Sequence, residues 1–216
     1  MPKNIELEIR GEVTKREIPA LKKRILALGF THDSSTRRTS IMSFGHVIPN
    51  PERKVIEERF VDIRCRITNG IMELVEKLGP LNAHNRKEIS VPIKTLDDLF
   101  ALGKFFGAMP FWSKVGSRLN DNFINGKICI TLTQSVSGYA YIEIEKITDR
   151  AHEERDHVIL KKIADELGIL LWKTKEELCT FCDRLDQIED WRFYGTDADI
   201  KRLKKEIKKI GSDREA

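Results

Sequence analysis

Alternation of apolar and polar residues with a period of two dominates the first two thirds of the chain. In IELEIRG, residues Ile5 to Gly11, the apolar Ile5, Leu7 and Ile9 fall on one face of an extended strand and Glu6, Glu8 and Arg10 on the other. Strand patterns also run over Thr36–Val47, Glu58–Thr68, Ile71–Leu78, Asn85–Ile93, Phe111–Phe123, Lys127–Ser135 and Tyr139–Ile147. Asn69-Gly70 and Asn125-Gly126 supply tight turns between consecutive strands, and Gly79-Pro80 breaks the chain. Elsewhere the period lengthens. TKRE (Thr14 to Glu17) has capping-box spacing, Leu21, Ile25 and Leu28 follow at helical intervals, and Gly29 ends the run. Thr95–Phe106 reads as a second helix, and His152–Leu167, Lys175–Ile188 and Asp197–Ile210 make the C-terminal part helical. The last of these is rich in lysine but keeps Ile200, Leu203, Ile207 and Ile210 on one side. With no internal repeat and no low-complexity linker, the pattern predicts an α+β fold of eight antiparallel strands with flanking helices and a helical C-terminus.

The charged faces carry a second regularity. Arg64 and Arg66 stand two apart in DIRCRIT, Glu73 and Lys77 share a face in MELVEKLG, and Arg86 and Glu88 do so in NRKEIS. Lys114 and Arg118 are in phase in SKVGSR, and Glu143 and Glu145 in YIEIEK repeat the pattern of Glu6 and Glu8. A single charged strand face is ordinarily solvated. In-phase charges on nearly every strand point instead to an interior lined by carboxylates and cations. Clustered carboxylates repel unless a cation lies between them, and an all-oxygen cluster suits Mg2+ or Mn2+. Clustered Arg and Lys suit a polyanion, because guanidinium forks match phosphate oxygens. The combination is chemistry for a phosphate chain.

These motifs, in this order, resemble the CYTH, or triphosphate tunnel metalloenzyme, superfamily. ELEIR is similar to its Glu-x-Glu-x-Lys signature, with Arg10 in place of the usual Lys. DIRCRIT, ELVEKLGP and NRKEISVPI follow as its Arg-x-Arg, Lys-Gly-Pro-like and Arg-x-Glu strands do, and YIEIEK resembles its closing Glu-x-Glu strand. The resemblance spans roughly Ile5 to Lys146 and implies an eight-stranded antiparallel β-barrel, a tunnel that takes a triphosphate end-on. It implies a tunnel domain over residues 1–195, followed by a basic helix or tail over 196–216. It further implies metal roles for Glu6, Glu8, Glu143 and Glu145, and phosphate contacts for Arg10, Arg64, Arg66, Lys77, Arg86, Lys114 and Arg118, with Glu88 orienting one of these cations. Two departures stand out. Many members carry an Asp on the strand before the closing pair, where ITLTQSVSG has Thr133, and many carry acidic and aromatic residues after the first helix, where this chain has Arg37 and Arg38.

The leading expectation is metal-dependent hydrolysis of a triphosphate: inorganic tripolyphosphate, a nucleoside or thiamine triphosphate, or an RNA 5′-triphosphate end. Glu6 or Glu143 would serve as general base for the attacking water. A class IV type adenylyl cyclase, making cyclic AMP from ATP, and a non-catalytic polyphosphate-binding module are the alternatives. The balance of 38 basic and 34 acidic residues permits an anionic ligand without demanding nucleic acid, and an aromatic content of 7% supplies no stacking platform for single strands. No apolar run approaches the roughly 20 residues that cross a bilayer. The start, MPKNIELEIRGEV, lacks a signal-peptide pattern, so a cytoplasmic location is expected, with no membrane partner. Cys179 and Cys182 in CTFC have no second ligand pair and read as small residues on a helix. Trp112 and Trp172 read as core residues, Trp191 as an anchor for the C-terminal segment, and the five histidines as surface or packing residues.

Overall fold

A computed structural model describes residues 5–47, 59–78 and 87–212. Its elements are β1 (Ile5–Thr14), α1 (Ile18–Ala27), β2 (Thr31–Val47), β3 (Arg59–Thr68), β4 (Ile71–Leu78), β5 (Lys87–Pro92), α2 (Leu96–Ala108), β6 (Trp112–Asn125), β7 (Ile128–Ser135), β8 (Tyr139–Thr148), α3 (Glu153–Glu166), α4 (Lys175–Ile188), β9 (Trp191–Arg192) and α5 (Asp197–Ser212). The α+β class, the eight main antiparallel strands and the helical C-terminus follow the expectation. Pairing runs in the order β1-β8-β7-β6-β2-β3-β4-β5, with β9 added against β6. The Gly79-Pro80 break and the expected phosphate ligand Arg86 lie outside the described residues.

The chain divides into two compact units, one holding the described residues 5–36 and 118–189, the other 37–47, 59–78, 87–117 and 190–212. Each has its own apolar core. In the first, Leu7, Ile9, Ile130, Leu132, Ile142 and Ile144 from the alternating strands meet Leu21 and Ile25 of α1 and Leu160 and Ala164 of α3. In the second, Ile41, Cys65 and Val115 meet Leu99, Phe100 and Phe106 of α2, Trp191 and Phe193 around β9, and Ile200 and Leu203 of α5. A fully buried aliphatic side chain contributes about 1.5–3 kcal/mol, so these stripes fix which strand faces turn inward. Ile200, Leu203 and Ile207 of the lysine-rich last helix pack as their spacing predicts, and Trp191 is the anchor expected of it.

Local chemistry explains several boundaries. Asn69 and Gly70 both adopt positive φ (50° and 89°), as the two-residue β3–β4 turn requires. Gly11 lets the chain after α3 approach β1, since a Cβ there would stand 2.5 Å from the Leu170 carbonyl oxygen. The TKRE spacing does not cap α1. Glu17 is itself the N-cap, and its carboxylate accepts from the backbone and hydroxyl of Thr14 (2.7 and 2.6 Å), closing a turn before the helix. The capping box instead forms at Thr174 and Glu177 of α4. β2 starts at Thr31, ahead of its expected first residue, and the two-residue β9 is too short to leave a period. Trp112, the first residue of β6, is 41% exposed rather than a core residue.

Asp156 joins α3 to the end of β8. Its carboxylate accepts from Thr148 Oγ1 (2.6 Å) and from Lys146 Nζ (2.8 Å), with Arg155 at 3.1 Å. Burial opposes its charged form, but Lys146, Thr148 and Arg155 more than offset that and hold the carboxyl well below the usual carboxylate range. A depressed native pKa stabilises the fold fully above the unfolded value near 4, and the contribution is lost as pH falls below it. We expect D156N to lower stability at pH 7 by about 2–4 kcal/mol and to flatten the acid limb of denaturation below about pH 4. Urea unfolding across pH 2–7 measures both.

Candidate active site

The carboxylate face of the first unit is built by one strand register. β1 and β8 pair antiparallel with Glu8 opposite Glu145 and Arg10 opposite Glu143, and Glu6 follows in the same phase on β1. Opposed residues project to the same side of a sheet, and Leu7, Ile9, Ile142 and Ile144 hold the other side in the core. Carboxylate oxygens of Glu6, Glu8 and Glu145 lie within 4.8 Å of one another. Glu143 does not join this group. Its Oε1 accepts from Arg10 Nε at 2.6 Å, and the same guanidinium reaches Glu8 Oε1 at 2.6 Å.

Two carboxylates 4.8 Å apart repel by about 3 kcal/mol at an effective dielectric constant of about 20. Burial, and then the charges of Glu143, Glu6 and Glu8, push the Glu145 carboxyl up to about 8, and Glu6 stands within hydrogen-bond reach of it. Two carboxylates tolerate that contact by sharing a proton or by sharing a cation. The donors are all oxygen and carry more negative charge than Arg10 neutralises. They fit a hard divalent ion of the Mg2+ or Mn2+ kind.

Further groups that were not singled out in the sequence share this face. Tyr141 continues the phase of Glu143 and Glu145 and stands opposite Thr133 of β7. Burial and the charge of Glu143 raise its pKa, while the charges of Arg118 and Arg10 and a hydrogen bond to Thr133 counter that. Its ring meets Trp172 (6.2 Å between centroids) and Phe181 of α4 (5.6 Å). Thr133, standing where an Asp is common in the resembled superfamily, is therefore a hydroxyl partner of Tyr141. Thr131 stands opposite Glu143 and donates to Asn122 (3.0 Å). Cys129 stands opposite Glu145, and burial together with that carboxylate pushes its thiol up to about 11. The period-two phase that marked Glu143 and Glu145 also contained Tyr141, whereas Cys129 and Thr131 became visible only through the β7–β8 register.

The second unit places its cations beside carboxylates. Arg66 bridges Glu73 and Glu88 (2.9 Å each), and Lys77 approaches Glu88 at 3.5 Å, so Glu88 orients both. Burial works against Glu73, yet Ser90 and Arg66 hold its pKa down. Arg64 makes a two-pronged contact with the buried Asp62 (2.8 and 2.9 Å), and Lys114 lies 3.2 Å from the buried Asp190. Of Arg37 and Arg38, Arg38 faces this set: it donates to Thr68 (3.3 Å) and its charge acts on Glu73. Lys114 and Arg192 both flank the Trp112 ring, at 5.4 and 5.1 Å from its centroid, and Phe44 stacks on it at 5.9 Å. Asp62 and Asp190 are the partners that sequence reading missed: Asp62 opens DIRCRIT but has no second acid in phase on that strand to mark it, and Asp190 stands outside the motifs. Among the described residues no helix is long and apolar enough to cross a membrane.

The antiparallel α+β fold is shared with known structures. Three of them are the PH1012 protein of Pyrococcus horikoshii, a protein of Vibrio parahaemolyticus and a protein of Bacillus halodurans, the last two each described as a "putative adenylate cyclase". The first is 17% identical, with a TM-score of 0.59, over 77% of this chain and 92% of that one. The Vibrio protein is 16% identical, with a TM-score of 0.58, over 82% and 98%. The Bacillus protein is 17% identical, with a TM-score of 0.53, over 84% and 99%. The chain has the fold of these proteins, in agreement with the resemblance carried by its strand motifs. No protein-family model and no curated protein matches the sequence.

The charge balance predicts how the carboxylate group responds to metal. Glu145→Gln removes one negative charge from a crowded set and keeps the shape. We expect the metal-free variant to melt at or above the wild-type temperature, while the stabilisation by millimolar Mn2+ or Mg2+ seen in the wild type is lost. Differential scanning calorimetry with and without the ion measures both, and a variant that still responds fully to metal would remove Glu145 from the ligand set.

Proposed function

We propose that this chain is a divalent-metal-dependent phosphohydrolase of triphosphate substrates. The observation that carries the reading is the convergence of the Glu6, Glu8 and Glu145 oxygens within 4.8 Å of one another, next to the Arg10–Glu143 pair. In this reading Glu6, Glu8 and Glu145 hold Mg2+ or Mn2+, with Glu143 at the margin of the set. When bound, the ion supplies charge neutralisation on phosphate oxygens and makes a bound water more acidic. Glu143, oriented by its hydrogen bond from Arg10, or Glu6 accepts the proton of the attacking water in this reading. Arg10 and Arg118 meet the oxygens on which negative charge grows as the bond to the leaving phosphate breaks. Phosphate contacts for Arg64, Arg66, Lys77, Arg86 and Lys114 are proposed from the resemblance of their strand motifs.

A second reading is supported by the descriptions of the Vibrio and Bacillus proteins as "putative adenylate cyclase". In a cyclase the attacking group is the 3′-hydroxyl of ATP. The same carboxylate takes its proton, and pyrophosphate leaves. The two reactions call on the same kinds of metal and cation, and differ in the nucleophile and in the phosphorus attacked, which in a cyclase is the α-phosphorus of ATP.

Products separate them. Purified protein with Mg2+ or Mn2+ is expected to release phosphate or pyrophosphate from tripolyphosphate, ATP, GTP or thiamine triphosphate, with cyclic AMP followed in the ATP reaction. E143Q and R118A are expected to lower kcat by about a hundredfold or more, with folding checked by circular dichroism. Cyclic AMP formation would replace the hydrolase reading by the cyclase. Tight tripolyphosphate binding without turnover would leave a binding module.

A further inference from the structure

One end of the cation-bearing face in the second unit is aromatic, and the chemistry proposed above makes no use of it. Opposed residues of β2 and β3 share a side of the sheet, and the register sets Phe44 opposite Asp62, Met42 opposite Arg64 and Ser40 opposite Arg66. Phe44 therefore stands at the end of the arginine row, and it stacks on Trp112 with 28° between the ring planes. Arg192, opposite Lys114 in the β6–β9 pairing, lies 5.1 Å from the Trp112 centroid and 5.5 Å from that of Tyr194. Its Nη1 is buried and has no hydrogen-bond partner among the described residues, so ring faces rather than an acceptor hold that end of the guanidinium. Trp112 and Tyr194 still keep 41% and 62% of their surface open. The backbone N–H of Phe193 donates to the Ser113 carbonyl and that of Tyr194 to Asp199 Oδ2, both at 2.9 Å, which fixes the segment that carries Tyr194.

We propose that this ledge of Trp112, Arg192 and Tyr194 stacks the nucleobase of the substrate, which makes the substrate a nucleoside triphosphate rather than a bare phosphate chain. The proposal rests on the reading of the protein as an enzyme of triphosphates, with Lys114 among its phosphate ligands. An ionised phosphate chain gains nothing from the electron-rich faces of indole and phenol rings. A nucleobase has a π face of its own and stacks on aromatic side chains and on guanidinium planes alike. Lys114 Nζ lies 5.4 Å from the centroid of the same indole. A phosphate ligand thus stands beside the stacking surface, as a molecule with a base at one end and phosphates at the other requires. The two cations also select the ring. A thiazolium, as in thiamine phosphates, would bring a positive charge up to Arg192 and Lys114, whereas a neutral base brings none.

Calorimetric titration in Mg2+ tests this with the bis-methylene analogues of ATP and of tripolyphosphate, whose P–C–P links neither hydrolyse nor cyclise. We expect W112A to weaken binding of the ATP analogue by about tenfold or more, and W112F to recover most of that loss. The exposed-site variant Y194A is expected to weaken it to a smaller degree, and it decides the matter if W112A does not fold. Affinity for the tripolyphosphate analogue is expected to stay within about twofold in all three, because that ligand has no base to stack. ADP is expected to bind the wild type more tightly than thiamine diphosphate. Equal weakening of both analogues, or of neither, overturns the proposal, as does tighter binding of thiamine diphosphate than of ADP. A wild type that binds the tripolyphosphate analogue but not that of ATP overturns it too, and leaves the triphosphate reading standing. A wild type that binds neither analogue removes that reading, and the proposal with it.

Discussion

Pairing of β1 with β8 in a single register is the constraint on which the first unit depends. Leu7 and Ile9 on one strand and Ile142 and Ile144 on the other are buried to within a few per cent. A slip of β1 by one residue against β8 would carry Leu7 and Ile9 to the charged side and put Glu6 and Glu8 into the core. Burying unpaired carboxylates costs several kcal/mol each, so the alternative register is not accessible. The apolar half of each strand thus determines where the charged half meets. The opposition of Glu8 to Glu145 and of Arg10 to Glu143 is a consequence of packing on the far side of the sheet.

The two units resolve their charges differently. In the second, cations and carboxylates are matched: Arg66 with Glu73 and Glu88, Arg64 with Asp62, Lys114 with Asp190. These carboxylates fix the direction of guanidinium and ammonium groups that would otherwise sample many rotamers. In the first, the guanidinium of Arg10 is shared between Glu143 and Glu8, while Glu145 is driven up to about 8. A set that has to hold a proton near neutral pH in order to persist is one that a divalent ion relieves. The chemical reading follows from this imbalance more than from the number of charges, since a matched set of the same size would need nothing further.

Much of this was legible in the sequence because its signals are local. Period-two alternation marked all eight main strands, Asn69-Gly70 marked a turn whose dihedral angles need those residues, and the apolar spacing of α5 showed which side packs. What failed were features that the letters alone do not decide. TKRE has the letters of a capping box, yet Glu17 closes a turn with Thr14 ahead of the helix. Trp112 has the composition of a core residue, yet it begins β6 with its ring flanked by the cations of Lys114 and Arg192. Asp190 is adjacent to a tryptophan in a segment without a period, and only β9 pairing with β6 brings it to Lys114.

The same limit applies inside the site. Sequence alone makes Glu6, Glu8, Glu143 and Glu145 look equivalent, as two copies of one motif. The register makes them unequal. Antiparallel pairing sets Glu8 against Glu145 but sets Glu143 against Arg10, which is two residues beyond Glu8. One member of the second pair therefore enters the carboxylate group, and the other accepts a hydrogen bond from a guanidinium at its edge. Two chemically identical side chains two positions apart meet different partners because a single arginine stands opposite one of them on the neighbouring strand.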